Sequence, residues 1–222
     1  MNLPDWISPV ARYMLEEGLR NTLQISAIAL AGSTIIGIAL GTLLTIRFLP
    51  LAAAIRFYIE VWRGLPILVT IFIIFFLLPA LSPSLRFSAL TAAAIGLILW
   101  GSAQVAEATR GAVVSIPREQ HEAASALGFG WVGRHVFVIL PQALRRLLPP
   151  MVSLLVNIIQ NTTIAQVIGA AELLETGERQ VERLTFEGQN HALEIYAAVM
   201  VVFFLISFPL TRLAAYLERR LV

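Results

Sequence analysis

The sequence contains no cysteine and no lysine among its 222 residues. Without cysteine, the chain cannot form disulfides, thiolate metal sites or a cysteine nucleophile. All 16 basic residues are arginine, so the chain also lacks the lysine that a Schiff base or a Walker-type phosphate loop requires. We therefore expect no cofactor in this chain and no ATP bound through such a loop.

Charged side chains of either sign are scarce as well. They make up 14% of the chain, whereas hydrophobic residues make up 58%; an average soluble protein has about 25% charged residues. The formal net charge is only +2 and the arginines are scattered along the sequence, which argues against a nucleic-acid partner. The composition predicts a protein embedded in membrane lipid.

Catalytic and metal-binding motifs are absent from the sequence. His121, His135 and His191 have neither the HExxH spacing nor another spacing typical of metal ligands. No GxSxG nucleophile elbow occurs either. We predict no catalytic residue and no metal site, so the chain is not expected to be an enzyme.

Five stretches without charge organise the chain. A spanning helix requires about 20 apolar residues, and a charge at the bilayer centre costs about 2.5 to 3.5 kcal/mol. The stretches cover residues 21–46, 64–85, 87–106, 147–171 and 195–211. We predict an all-α integral membrane protein with five transmembrane helices, folded as a single transmembrane domain over residues 1–222.

The arginines between these stretches divide into two unequal sets. Segments that connect spanning helices alternate between the two sides of the membrane, so each set lies on one side. The larger set contains Arg47, Arg56, Arg63, Arg110, Arg118, Arg134, Arg145, Arg146, Arg212, Arg219 and Arg220. The smaller set contains Arg12, Arg20, Arg86, Arg179 and Arg183. Since cytoplasmic segments carry the excess of arginine, we predict a periplasmic N-terminus and a cytoplasmic C-terminus.

Glycine and proline are expected to shape the spanning helices. Gly37 and Gly41 have the GxxxG spacing that lets another helix approach the backbone closely, and we interpret them as a packing contact. A proline in a membrane helix frees a carbonyl that neighbours or a polar cavity must satisfy. Kinks or half-helices are therefore expected at Pro66, Pro79, Pro149, Pro150 and Pro209.

The segment between the third and fourth stretches contains a short predicted helix. Pro117 suits the first turn of a helix, and Gly128 or Gly130 suits its end. A helix at about residues 117–128 would be roughly 16 Å long at 1.5 Å per residue, which is too short to span the membrane. It is either a docking element for another protein or an amphipathic connector at the lipid headgroups.

The side chains of this short helix are small or charged. Ala123, Ala124 and Leu127 are expected on one face, where small residues let the surface of a second protein approach the backbone. Glu122 can pair with Arg118 one turn earlier or with a basic group of a partner. The pattern alone is compatible with both interpretations.

The same segment resembles the EAA motif of ABC-importer permeases. The likeness rests on Glu122, Ala123, Ala124, Gly128, Ile139, Leu140 and Pro141. The sequence YIEVWRGLP at residues 58–66 is similar to the entry of the second helix in polar amino-acid permeases. Residues 106–111 are similar to the same subfamily, and the resemblance covers about residues 20–220.

The resemblance implies the type I importer fold, or MetI-like fold, and a role as one subunit of a larger assembly. The chain would pair with a second permease, identical or similar to it, above two ATP-binding cassette subunits that bind ATP and Mg²⁺. The short helix would be the coupling helix that inserts into a cleft on an ATPase subunit. A periplasmic or lipid-anchored binding protein would deliver the substrate.

The function implied by the resemblance is import across the bacterial inner membrane, with this chain as a multi-pass transport subunit. The substrate would be a polar L-amino acid of the glutamate, glutamine, aspartate or basic class. Closure of the ATPases on ATP would move the coupling helices and switch the cavity from inward-facing to outward-facing. Hydrolysis of ATP would belong to the partner subunits.

Polar side chains at membrane depth are the candidates for a substrate pathway, because they are costly unless they line a cavity or pair. The richest cluster is Asn157, Gln160, Asn161, Thr162 and Thr163. These groups can either hold a zwitterionic amino acid through hydrogen bonds or join neighbouring helices. Many relatives carry a Lys-Asp pair where this chain has Gln160 and Asn161, so the resemblance implies a class of substrate but not which amino acid is carried.

Four further polar residues are candidates for a gate or for contacts between subunits. Glu60 and Arg63 precede the second predicted helix, and Gln104 and Glu107 lie near the end of the third. Ordinary structural ion pairing is the competing interpretation.

A self-sufficient secondary amino-acid transporter is the alternative function. Such a transporter couples to an ion through carboxylates at mid-membrane and often shows internal repeats. The sequence shows neither feature clearly, whereas it carries the EAA-like motif.

Overall fold

The computed structural model describes residues 4–45 and 48–221. Ile46, where the first charge-free stretch ends, and Arg47, one of the arginines used to predict the orientation, lie outside the described residues. The same holds for residues 1–3 and 222 at the two ends of the predicted domain.

Within these residues all regular secondary structure is helical, with no strand, which confirms the all-α prediction. The helices are α1 (Ile7–Leu43), α2 (Leu49–Gly64), α3 (Ile67–Leu81), α4 (Ala89–Val114), α5 (Arg118–Ala126), α6 (Trp131–Ile168), α7 (Leu173–Phe186) and α8 (Ala192–Leu221). Wider π-helical turns lie inside α1 at Met14–Leu19, inside α3 at Ile73–Leu77 and inside α6 at His135–Ile139. Tighter 3₁₀ turns lie at Pro83–Leu85 and at the end of α6, over Thr162–Ile168.

Four of these helices, α1, α4, α6 and α8, are long and apolar enough to cross a membrane. α2 and α3 together meet the same test, but their axes differ by 105°. The five predicted transmembrane helices therefore correspond to four long helices and one broken pair.

The prediction of one helix over residues 64–85 is wrong in its boundaries. α2 ends at Gly64, and Leu65 adopts an extended backbone with φ −80° and ψ 137°. A residue before proline is disfavoured in the α region, and Pro66 has no N–H to continue the helix. A search for charge-free stretches missed α2 because Arg56 and its neighbouring charges interrupt it.

α6 begins at Trp131, well before the predicted start at residue 147. Its first turns carry arginines, and these can lie beyond the apolar part of a long helix. Pro141 follows the π-helical turn His135–Ile139, whose wider spacing accommodates the N–H that proline lacks. Charged residues also lie in the end turns of α1, α4 and α8, so these helices extend beyond the charge-free stretches that predicted them.

α1 packs against α4 through small residues. A Cβ atom added to Gly37 would collide with the Cβ of Val105 and lie 2.8 Å from the backbone oxygen of Ser102. A Cβ atom added to Gly41 would collide with the backbone oxygen of Ala106. The close helix approach predicted from the GxxxG spacing is confirmed, and α4 is the partner.

The main core lies where α1, α4 and α6 meet. Ile25 and Ala29 of α1, Leu97 of α4, and Leu154 and Ile158 of α6 are buried together. In a lipid environment, such contacts stabilise through close packing rather than through removal of apolar surface from water. α6 is thereby held against both helices of the tightest pair.

One end of the bundle gathers the last turns of α1, α4 and α8, the first turns of α6, and α5. Nε2 of His135 lies 3.1 Å from Oγ1 of Thr45, and Glu218 of α8 lines the same cleft as Ser115 and Arg146. We call this the arginine end, because most arginines of the larger predicted set lie on these turns.

α7 lies at the opposite end and is tied to the start of α1. Both carboxylate oxygens of Glu172 cap α7, accepting from the N–H of Glu175 at 2.8 Å and of Leu174 at 3.0 Å. Oγ1 of Thr22 accepts from the N–H of Leu173 at 3.1 Å. Burial raises the pKa of Glu172, and the two N–H donors act in the opposite direction.

Replacing Gly37 by alanine should destabilise the fold, whereas Gly111→Ala should not. The added methyl group at residue 37 meets α4, and overpacking costs about 1–3 kcal/mol. Gly111 lies on α4 with open space around its Cβ position, and alanine is the better helix former. The measurement is the fraction of monodisperse protein after heating in detergent, by size-exclusion chromatography. Equal midpoints for the two variants would contradict the close contact.

Candidate functional site

α5 is a short helix with defined ends at the arginine end. Pro117 precedes it with φ −54° and ψ 142°, and the helix covers Arg118–Ala126. Gly128 follows with φ +85°, a left-handed conformation that favours glycine and ends the helix. The short helix predicted at about residues 117–128 is therefore present, with Pro117 just before its first turn rather than in it, and Gly128 rather than Gly130 at its end.

The EAA-like residues of α5 point in different directions. Ala124 is 2% exposed and packs toward the bundle, whereas Ala123 is exposed. Leu127 is 78% exposed. The expectation that Ala123, Ala124 and Leu127 share one face is therefore wrong, because Ala124 belongs to the inward face. Glu122 pairs with Arg118 at 3.0 Å.

The distal part of the motif supports α5 from α6. Ile139 is fully buried and packs with Ile116, which leads into α5, and with Val113 of α4. Leu140 is packed against the same cluster, while Pro141 is exposed. α5 also contacts the π-helical turn His135–Ile139, so the helix that carries the first half of the motif lies beside the turn that ends at Ile139.

Histidines hold the neighbouring turns together. His135 stacks on Trp131, with ring centroids 4.1 Å apart, and its Nδ1 lies 2.9 Å from the backbone oxygen of Trp131. The ring of His121 on α5 lies 6.2 Å from that of His135. Burial lowers the pKa of His121, and the positive charge of Arg134 acts in the same direction, which favours a neutral imidazole.

A cavity of about 350 Å³ lies between α4 and α6. Trp100 and Gln104 line it from α4, and Ser153 and Asn157 line it from α6 together with Pro150. The polar groups are amides, a hydroxyl and an indole, so this lining offers hydrogen-bond donors and acceptors without a fixed charge.

The predicted substrate-pathway cluster is divided by the fold. Asn157 lines the cavity, and Gln160 is exposed one turn further along α6. Thr162 is fully buried, and its hydroxyl donates to the backbone oxygen of Ile159 at 2.8 Å.

The remaining two members bond within their own helix. Nδ2 of Asn161 donates to the backbone oxygen of Asn157, and Oγ1 of Thr163 donates to that of Gln160, both at 2.8 Å. These bonds satisfy side chains at the turn where α6 tightens into its 3₁₀ segment. Of the five predicted residues, the structure brings Asn157 to the cavity.

The four gate candidates lie together on the adjoining faces of α2 and α4. A cleft of about 330 Å³ is lined by Leu44, Arg56, Ile59, Glu60, Arg63, Glu107 and Arg110. Nη2 of Arg110 donates to Oε1 of Glu107 at 2.5 Å, and Nε of Arg63 donates to Oε1 of Gln104 at 3.2 Å. The pair of Arg110 with Glu107 is the kind of contact that the competing interpretation, ordinary structural ion pairing, expects.

Gln104 connects the cleft to the cavity. Its side chain accepts from Arg63 on the α2 side and lines the cavity on the α6 side. The uncharged cavity and the charged cleft are therefore neighbouring compartments along α4, with one hydrogen bond at their boundary.

The sequence interpretation missed Trp100 and Ser153. Trp100 lies four residues before Gln104, and Ser153 lies four residues before Asn157, so both pairs share a helix face. This four-residue spacing is the sequence signal from which Trp100 and Ser153 could have been predicted. Tyr58, whose hydroxyl lies 2.7 Å from Oγ of Ser102, joins α2 to α4 and had no signal in the sequence, because the contact links distant residues.

Comparison with known proteins places this geometry in a family. Residues 33–222 match the family described as binding-protein-dependent transport system inner membrane component. The chain is 38% identical over 208 residues to the glutamine transport system permease protein GlnP of Escherichia coli strain K12, covering 94% of this chain and 93% of that protein. It is 30% identical over 221 residues to the probable glutamine ABC transporter permease protein GlnM of Bacillus subtilis strain 168, covering 100% and 98%.

Solved structures are similar over nearly the whole chain. The crystal structure of an amino acid ABC transporter with histidines matches with a TM-score of 0.81 and 26% identity, covering 99% of this chain and 100% of that one. The MetNI methionine ABC transporter in an inward-facing conformation matches with a TM-score of 0.80 and 18% identity, covering 97% and 99%, which shows the common fold. The chain belongs to the family of binding-protein-dependent transport system inner membrane components, the permease subunits of ABC transporters.

Proposed function

We propose that this chain is the permease subunit of an ATP-driven importer that carries a polar L-amino acid across the bacterial inner membrane by alternating access. Relatives named for glutamine transport support this substrate class. The proposal covers glutamine, glutamate, aspartate and the basic amino acids. The chain itself is a non-enzymatic transport subunit.

The uncharged polar cavity between α4 and α6 is the observation that carries the proposal. Its volume of about 350 Å³ lies within the range of about 300–1,000 Å³ found for small-molecule sites. Gln104 and Asn157 face it from opposite walls. Amides can accept from the ammonium group and donate to the carboxylate of a zwitterion, so neither wall needs a charge.

α5 is the proposed contact with the ATPase subunits. Ala123 and Leu127 expose small and apolar surface at the arginine end, and Val132 on the following turn is 66% exposed. An exposed apolar patch of this kind is typical of a protein interface. Two ATP-binding cassette subunits would lie at the cytoplasmic face, where they would contact the α5 helices. These subunits would themselves bind ATP and Mg²⁺.

The rest of the proposed assembly consists of a second permease, identical or similar to this one, and a periplasmic or lipid-anchored binding protein. The charged cleft is the proposed gate or inter-subunit region. Glu60 and Glu107 face it together with three arginines, and Arg63 reaches Gln104 at the edge of the cavity. A substrate that leaves the cavity on this side must displace that hydrogen bond.

ATP-driven uptake into proteoliposomes tests the proposed function. The chain is reconstituted with its ATPase and binding-protein partners, and uptake of labelled amino acids is followed with ATP or with an ion gradient alone. Uptake that requires ATP and the ATPase supports the importer. Uptake driven by the ion gradient without the ATPase would instead support a secondary transporter.

Gly128→Val should reduce ATP-driven uptake about tenfold, while Gly130→Val should have little effect. Both glycines have open space around the Cβ position, but only Gly128 has a positive φ. A left-handed residue with a side chain costs about 1–2 kcal/mol, which distorts the end of α5. Membrane insertion, measured by extraction and size-exclusion chromatography, should remain normal in both variants. Equal uptake by the two variants would contradict the proposal that α5 couples transport to the ATPase subunits.

Asn157→Asp should shift selectivity toward cationic amino acids. A charge pair 4 Å apart is worth about 1–4 kcal/mol at effective dielectric constants of 80 to 20, so arginine should compete at least about tenfold better and glutamate worse. The measurement is competition against the labelled amino acid that the wild type imports. Asn190→Asp is the control, because Asn190 lies before α8, away from the cavity, and its Oδ1 accepts from the N–H of Ala192, a role that aspartate keeps. Identical competition profiles for wild type and Asn157→Asp would exclude the cavity as the substrate site.

A further inference from the structure

α5 and the turn before it are bonded to α6 by side chains along their length. Nη1 of Arg134 donates to Oγ of Ser125 at 2.9 Å. Nε2 of Gln142 donates to Oε1 of Gln120 at 3.3 Å. As residue numbers rise along α6, the bonded partners fall along α5, so the two segments run antiparallel.

Arg146 makes the third of these contacts, and it reaches two acceptors. Its Nη1 lies 2.7 Å from the backbone oxygen of Ser115 and 2.8 Å from the Oγ of the same residue. Ser115 directly follows α4, where helix carbonyls lack partners within the helix. A hydrogen bond from a guanidinium group is charge-assisted, so Arg146 fixes the point at which the chain leaves α4 for α5.

Apolar packing supports the same attachment. Ile116, immediately after Ser115, is 4% exposed and packs with Ile139 and Ala143 of α6, which are 0% and 2% exposed. α5 with the turn before it and residues 131–146 of α6 are therefore joined by four side-chain hydrogen bonds and one buried cluster. We call this unit the lever.

Two adjacent prolines follow the lever directly. Pro149 and Pro150 lie inside α6, and without N–H groups they leave the carbonyls of Arg145 and Arg146 without their usual helical partners. A helix bends most readily at such a position. Pro150 also lines the cavity, and Asn157 lies two turns beyond it.

We propose that the lever moves as one body about Pro149 and Pro150, and that Arg146 is the positioning residue that holds it together. This inference rests on the proposed function. A displacement of α5 by the ATPase is then delivered to α6 and reaches the wall of the cavity that carries Ser153 and Asn157. The last turn of α4 moves with the lever, because Val113 belongs to the same buried cluster, whereas the part of α4 that packs on Gly37 and Gly41 is held in place by α1.

Arg146→Gln should lower the number of amino acids imported per ATP hydrolysed about tenfold, the factor expected for loss of a charge-assisted hydrogen bond. The complete transporter complex is measured in proteoliposomes, and its ATPase rate should stay near that of the wild type. Arg145→Gln is the matched control, because Arg145 is exposed on the neighbouring position of α6 and loses the same charge. Arg146→Lys, which keeps a charged donor, should restore part of the ratio.

A crosslink provides an independent test of the lever. The chain contains no cysteine, so a Gln120→Cys, Gln142→Cys double variant can be joined specifically with a short bifunctional thiosulfonate, given partner subunits free of reactive cysteine. Because both residues belong to one moving body, the crosslinked complex should still import. If the Arg146→Gln complex fails to assemble, the crosslink still tests whether the lever moves as one body.

Two results would overturn the lever: the same import ratio for Arg146→Gln and Arg145→Gln, or loss of import on crosslinking residues 120 and 142. Either result leaves ATP-driven uptake by the wild type intact, and so leaves the proposed function standing. A wild-type complex without ATP-driven uptake would overturn the proposed function and the lever with it.

Discussion

The backbone of α1 lies against α4 at Gly37 and Gly41, and the arrangement of the other helices depends on this contact. Since the two helices leave no space for a side chain between them, α4 is held along one face and presents its other faces to α6 and α2. The face toward α6 carries Gln104 and forms a wall of the cavity. The face toward α2 carries Glu107 and forms a wall of the charged cleft.

Charges are few in this chain, and several of the described ones near the candidate sites make specific contacts. Arg110 pairs with Glu107, Arg118 pairs with Glu122, and Arg146 bonds to the residue that follows α4. At membrane depth an unpaired charge is costly, so these contacts also explain why the charged cleft can lie beside an apolar bundle. The cavity avoids the cost altogether by using amides and a hydroxyl.

Proline has different consequences at different places in the fold. Before Pro66 the helix ends, because the preceding Leu65 has an extended conformation and does not continue the helical backbone. Pro141 lies just after a π-helical turn, and Pro149 and Pro150 lie inside continuous helix. The sequence predicted irregular positions at Pro66, Pro149 and Pro150 but not at Pro141, and the packing of the surrounding helices decides whether the chain breaks, widens or continues.

The sequence by itself determined the features that depend on near neighbours along the chain. Charge-free stretches identified the apolar parts of the spanning helices, the GxxxG spacing predicted a close helix contact, and Pro117 and Gly128 marked the ends of α5. Each follows from local chemistry: the cost of a charge in lipid, the small size of glycine and the backbone angles available to proline and glycine.

Only the tertiary structure decided which side chains meet. It separated α2 from α3 by 105°, turned Ala124 inward and Leu127 outward, and brought Asn157 rather than Thr162 to a cavity. It also joined Arg63 to Gln104 and Arg146 to Ser115 across long stretches of sequence. A helical pattern specifies the relative directions of side chains around one axis, but the direction that faces a cavity depends on the neighbouring helices, which no local pattern contains.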